Sequence, residues 1–218
     1  MRISSKMRFW LTGTLGLAAW LTAQAFASGP PPTPPPPANV SSVGVIGEAN
    51  EPGERLVVSG QVFAPDGVTP VAGIIVYAYQ TDATGEYHND ANRVARLHGW
   101  AKTDAQGRYE FRTIRPAPYP GRSIAAHIHF HVYGAGFPLQ WTPELLFAGD
   151  QFIKRAEIDS SAALGKFANV QALTKGSDGV LHCSFSPPQA AARCAGRAPS
   201  THHQAPARPL SRTVNAQR

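Results

Sequence analysis

Short runs of β-branched and aromatic residues, each closed by a turn signal, recur from residue 56 to residue 185 and set the fold class. Leu56-Val57-Val58 leads into Gln61-Val62-Phe63 and stops at Pro65-Asp66-Gly67. Ile74 to Tyr79 ends at Thr81 to Gly85, and Trp100 to Lys102 ends at Asp104-Ala105-Gln106-Gly107. Tyr109-Glu110-Phe111 alternates apolar with polar, His127 to Val132 alternates strictly, and Val180 to Phe185 follows the turn Asp178-Gly179. Helical periodicity is weak everywhere outside Ile158 to Ala168. With 20 glycines and 20 prolines in 218 residues, the chain reads as all-β, an antiparallel or mixed sandwich or barrel with little helix.

The two ends are of another kind. Arg2, Lys6 and Arg8 form a basic start, Phe9 to Leu21 is mostly apolar, and Ala25-Phe26-Ala27 supplies a small-x-small exit. Residues 1–27 are therefore expected to be a signal peptide, and the mature chain to be exported. An uncut anchoring helix is the alternative, for which the apolar run is short. Residues 28–41 are a proline-rich linker, stiff and extended, and residues 42–186 the folded domain. Residues 187–218 carry five arginines and no acid, and read as a disordered basic tail. His202-His203 in that tail is taken as a solvated pair. Formal net charge is +6, but all of it lies in the ends; the middle holds slightly more acid than base, which argues against a nucleic-acid partner. Only two cysteines are present, Cys183 and Cys194, which excludes a disulfide scaffold and leaves their pairing open.

The chemistry concentrates at Ala126-His127-Ile128-His129-Phe130-His131. In a strand, positions 127, 129 and 131 share one face, so His127 and His129 can reach one metal. Alternating histidines on a solvated sheet face have the same pattern. Tyr119 lies eight residues before His127, between Pro118 and Pro120, and Tyr87 lies 32 residues before Tyr119, just past a strand. Each tyrosine alone reads as packing; together with the histidines they point to a phenolate–imidazole site. A phenol ionises near pH 10 in water, so only a strongly Lewis-acidic cation makes phenolate its resting form. Ferric iron suits such donors better than zinc does. The two-histidine, one-carboxylate arrangement lacks an adjacent acid in the sequence, unless Glu144 or Asp150 approaches through the fold.

These segments resemble the catalytic domain of the intradiol ring-cleavage dioxygenases, of the protocatechuate and catechol type. Four of them carry the resemblance in order: Val76 to Asp82 with Gly85-Glu86-Tyr87; Thr103-Asp104 with Gly107 to Ile114; Pro118-Tyr119-Pro120 with Ala126 to Phe130; and Leu145 to Asp150. The resemblance implies a β-sandwich holding one non-haem ferric iron, Fe(III), on Tyr87, Tyr119, His127 and His129. By the same analogy Tyr119 and His129 are axial, and Tyr87 and His127 equatorial with a hydroxide. It implies a catechol-like substrate bound as a dianion, with Tyr119 accepting one of its protons. Both atoms of dioxygen then enter the ring, giving a cis,cis-muconate-type diacid.

Four departures from the family pattern stand out. Many members carry an arginine three residues before the first ligand histidine; that position is Ile124 here, and Arg122 is the catalytic candidate in its stead. Glu144 occupies a place where the family often has glutamine, and His131 is additional to the ligand set. The helical oligomerisation segment of the catechol-cleaving branch is also missing, although a homo-oligomer stays open. Two rival readings remain at this level, a non-catalytic prealbumin-like binding module and a copper or zinc protein using the histidines alone.

Overall fold

The strand runs pair into sheets because alternation gives each of them one apolar face to bury. In the computed structural model, which describes residues 32–188, they form two sheets. The first contains β1 (Val43–Val45), β2 (Arg55–Gln61), β5 (Arg108–Ile114), β10 (Thr174–Lys175) and β11 (Leu181–Ser184) in the order β1-β5-β2-β11-β10. The second contains β3 (Ile75–Gln80), β4 (Leu97–Lys102), β6 (His127–Gly134), β8 (Leu145–Phe147) and β9 (Val170–Gln171) in the order β4-β3-β6-β8-β9, with β7 (Phe137–Trp141) added to β6. Among the described residues helix is confined to α1 (Arg155–Ala163) and a 3-10 turn at Gly165–Phe167. The expected all-β sandwich with little helix is what forms. The sheets are mixed, since β1 with β5, β11 with β2 and β8 with β9 run parallel.

The core lies between the sheets. Leu56 and Val58 of β2, Phe111 of β5 and Leu181 of β11 meet Val76 and Ala78 of β3 and Ile128, Phe130 and Val132 of β6, all buried. The second sheet is buried on its other face as well. Tyr77 and Tyr79 of β3 pack there beneath Tyr87 and Trp100, opposite His131 and His129 in register. That outer layer of aromatics and histidines is where the chemistry sits.

Residues 32–41 form no helix or strand, in keeping with their proline content, and they are docked. The Pro34 carbonyl accepts from Trp100 Nε1 at 3.3 Å, and Thr33 Oγ1 lies 2.6 Å from His131 Nδ1. The segment expected to be a signal peptide, 1–27, the start of the expected linker, and the C-terminal segment with Cys194 and His202-His203 lie outside the described residues. Cys183 is buried on β11. Among the described residues no helix is long and apolar enough to cross a membrane.

Candidate metal centre

Strand β6 delivers His127 and His129 to the outer face at its start, and two loops bring the tyrosines over them. The β3–β4 loop carries Tyr87 and is pinned by Asp82, whose Oδ1 accepts from the Thr84 amide and hydroxyl and the Glu86 amide at 2.7–3.1 Å. Burial raises the Asp82 pKa, but these hydrogen bonds outweigh it and bring the value down to about 2. The β5–β6 loop carries Tyr119 and is tied to the first: the Ala117 amide donates to the Asp82 carbonyl at 3.0 Å, and Thr81 Oγ1 donates to the Ala117 carbonyl at 2.8 Å. Gly85, at φ +88°, lets the loops touch. A Cβ there would meet the Pro118 carbonyl oxygen, and Pro120 Cδ at 2.9 Å. Asp150 holds the start of β6, its Oδ2 accepting from the Ala126 amide at 2.9 Å.

The four expected ligands converge into a closed ring of donor atoms. Tyr87 Oη lies 2.7 Å from Tyr119 Oη and 3.0 Å from His129 Nε2. Tyr119 Oη lies 3.2 Å from His127 Nε2, and the two Nε2 atoms are 3.1 Å apart. Both histidines have their far nitrogens engaged. His127 Nδ1 is 2.7 Å from the Ala125 carbonyl oxygen, and His129 Nδ1 is 3.3 Å from Glu144 Oε1. Burial, with His127 and His131 alongside, pushes the His129 pKa down to about 3, so this is a neutral N–H facing a carboxylate rather than an ion pair. A carbonyl only accepts, which places the His127 proton on Nδ1 and leaves a lone pair on its Nε2; the carboxylate beside His129 Nδ1 favours the same tautomer there.

Two lone pairs therefore face one another at 3.1 Å. Alone they repel; a cation between them turns the same geometry into coordination. A small cation with bonds of about 2.0–2.1 Å holds neighbouring ligands roughly 3 Å apart, which is the spacing on all four sides of the ring. Burial raises the phenol pKa values of Tyr87 and Tyr119, so both stay protonated unless a strong Lewis acid takes the place of their protons. The donor set thus fits a hard, highly charged metal ion. Tyr79 stacks on His129 at 4.4 Å and 12°, which fixes the plane of that ring.

The remaining candidates fall into different places. Arg122 is exposed, closes a turn onto the Tyr119 carbonyl, and sets its guanidinium 5.9 Å from the centre of the Tyr119 ring, where its charge favours the phenolate. Ile124 is 40% exposed. Glu144 does approach through the fold and groups with His127 and His129 within 4.8 Å, but it meets His129 at the nitrogen turned away from the other ligands. Asp150 is used on the backbone instead. His131 is 1% exposed; burial lowers its pKa to about 4, Thr33 meets its Nδ1, and its Nε2 finds no hydrogen-bond partner. Sequence reasoning did not single out Asp82, Gly85 or Thr33. Asp82 was open to recognition, since Asp-x-Thr-Gly is a turn signature in which the carboxylate caps its own loop.

Comparisons with known proteins bear on the family and the fold. A family model described as "Dioxygenase" matches residues 37–186. The chain is 37% identical over 113 residues to the protocatechuate 3,4-dioxygenase beta chain of Burkholderia cepacia, covering 46% of this chain and 48% of that one. It is 32% identical over 124 residues to catechol 1,2-dioxygenase 2 of Acinetobacter lwoffii, covering 49% of this chain and 44% of that one. It spans about half the length of these curated relatives. Among solved structures, the dioxygenase domain of a carbohydrate-binding fusion protein from Streptomyces sp. SirexAA-E superposes with a TM-score of 0.55 at 25% identity, covering 76% of this chain and 96% of that one. The 3-chlorocatechol 1,2-dioxygenase of Rhodococcus opacus 1CP shares the fold, with a TM-score of 0.55 at 23% identity over 73% of this chain and 69% of that one. With the family model matched over most of the sandwich and the four donors gathered on its outer face, the chain belongs to the intradiol ring-cleavage dioxygenases.

Proposed function

We propose that the chain is an exported, ferric-iron intradiol dioxygenase that opens a catechol-type aromatic to a cis,cis-muconate-type diacid. The observation that carries this reading is the ring of two phenol oxygens and two lone-pair nitrogens with sides of 2.7–3.2 Å. Tyr87, Tyr119, His127 and His129 would hold the metal. Ferric iron, when bound, supplies the Lewis acidity that favours a chelated catechol dianion and makes its ring reactive toward dioxygen.

The residues divide the remaining work. His127 is buried and His129 partly buried, both on a strand between neighbours, and they have little freedom to leave. Tyr119 is followed by five exposed residues, 120–124, and is the donor able to swing out and take a catechol proton onto its phenolate oxygen. Arg122, over its ring, offsets negative charge at that corner. Tyr87, inside the Asp82-pinned loop, stays in place.

The test is a visible absorption spectrum with metal analysis on the chain loaded with iron. A broad phenolate-to-iron band that shifts when catechol is added without dioxygen is the expected result. A colourless chain that binds no iron tightly would remove the enzyme reading and leave a binding module. A second reading, a two-histidine, one-carboxylate centre, is favoured by the grouping of Glu144 with the two histidines. It requires metal binding to survive replacement of both tyrosines by phenylalanine. Export is tested by cell fractionation, with a mature N-terminus at Ser28 expected.

A further inference from the structure

The two ligand imidazoles are backed by different acceptors. His127 Nδ1 faces a backbone carbonyl, a neutral group fixed by the fold, whereas His129 Nδ1 faces the Glu144 side chain. The fold puts that carboxylate there by register. His127 pairs with Leu146 and Ile128 with Leu145, so the residue next in line with His129 is Glu144. The chain around Glu144 is secured on both sides, Thr142 donating to the Phe130 carbonyl at 3.2 Å and Asn169 Nδ2 to the Glu144 carbonyl at 2.8 Å. With Tyr79 stacked on the ring, His129 has one orientation, with Nδ1 toward Glu144 and Nε2 toward Tyr87 and His127.

We propose that Glu144 is a positioning residue that holds His129 as its Nδ1–H form and, through its negative charge, makes His129 Nε2 the stronger of the two imidazole donors toward the metal. The inference rests on the ferric reading above. An imidazole N–H facing a carboxylate becomes more basic at its other nitrogen, and removing such a partner costs about 10–100-fold in metal affinity. Glutamine keeps the shape of glutamate without the charge, so Glu144→Gln separates donor strength from placement, while Glu144→Ala removes both. The side chain is 47% exposed, so neither change disturbs the core.

Two measurements test the proposal. In the metal-free protein, nitrogen-15 NMR of the histidines should find His129 protonated at Nδ1, with E144A moving proton onto Nε2. In the iron-loaded protein, E144Q should bind one iron with about tenfold weaker affinity. Its phenolate-to-iron band should move to longer wavelength, because a weaker imidazole leaves the metal more electron-poor. An unchanged band and affinity in E144Q, or an unchanged His129 tautomer in E144A, would overturn the assignment. A wild-type chain with no band would defeat the ferric reading and this inference together. A wild-type band with a silent E144Q defeats this inference alone.

Discussion

The two faces of β6 lie a side chain apart and do different work. On the inner face Ile128, Phe130 and Val132 are sealed into the apolar core between the sheets, each 0–1% exposed. On the outer face His127, His129 and His131 are also largely enclosed, but by loops, by the aromatic layer of β3 and by the docked residues 32–41. Burial on the inner face adds stability at about 25 cal/mol per Å² of apolar surface. Burial on the outer face encloses polar atoms at a cost unless each finds a partner. The lone-pair contact between the two Nε2 atoms and the unpartnered Nε2 of His131 show that cost retained in the fold. One face of the strand secures the domain and the other is kept for chemistry.

The sharpest way to break this contrast is Phe130→Ala, expected to cost about 3–5 kcal/mol in a urea titration through the cavity it leaves. A loss below 1 kcal/mol would mean the inner face is not the stabilising one. Next in size is acid. The folded Asp82 pKa of about 2 lies below its unfolded value near 4. Its contribution is therefore full above pH 4 and fades as pH falls toward 2, amounting to roughly 2–3 kcal/mol. Asp82 pins the outer loop, so fluorescence from Trp100 on that face should change in this window before far-ultraviolet circular dichroism does. Simultaneous changes would show that the outer layer has no independence from the core.

Thr33→Ala should cost about 1–3 kcal/mol by thermal or urea unfolding, because it leaves both nitrogens of buried His131 without a partner. No change would mean residues 32–41 only rest on the sheet. The smallest stability effect is expected from Tyr119→Phe in the metal-free chain, at most about 1 kcal/mol. The same variant should weaken and shift its phenolate-to-iron band, since only Tyr87 is left to supply it, measured by absorption and metal content. A large stability loss there would move Tyr119 from the chemical side of the contrast to the structural one.

Legibility in the sequence follows the same division. The long alternating strands β2, β3, β5, β6 and β11 were readable because each repeats every second residue against one apolar core. Strands β1, β8, β9 and β10 span only two or three residues and carry no period of their own. β7 was hidden by Pro138, which suits an edge strand that pairs with β6 alone. The helix expected around Ile158 to Ala168 exists but starts at Arg155 and breaks at Leu164. The four ligand candidates were legible from residue type and order. The partners that aim them were not, since Ala125, Glu144 and Asp150 reach the histidines or their strand through backbone geometry and register.

By itself the sequence determined the β class, the inward set of apolar residues, and the identities of Tyr87, Tyr119, His127 and His129 as a donor group. These depend on local periodicity and on side-chain chemistry, which a linear chain states directly. Only the tertiary structure decided that the donors meet within 2.7–3.2 Å, that Glu144 stands behind His129, and that residues 32–41 lie against His131 and Trp100. Those contacts join residues 15 to 98 positions apart in the chain, apart from Tyr119 with His127 and His127 with His129, and no local pattern encodes which loops will close over which face.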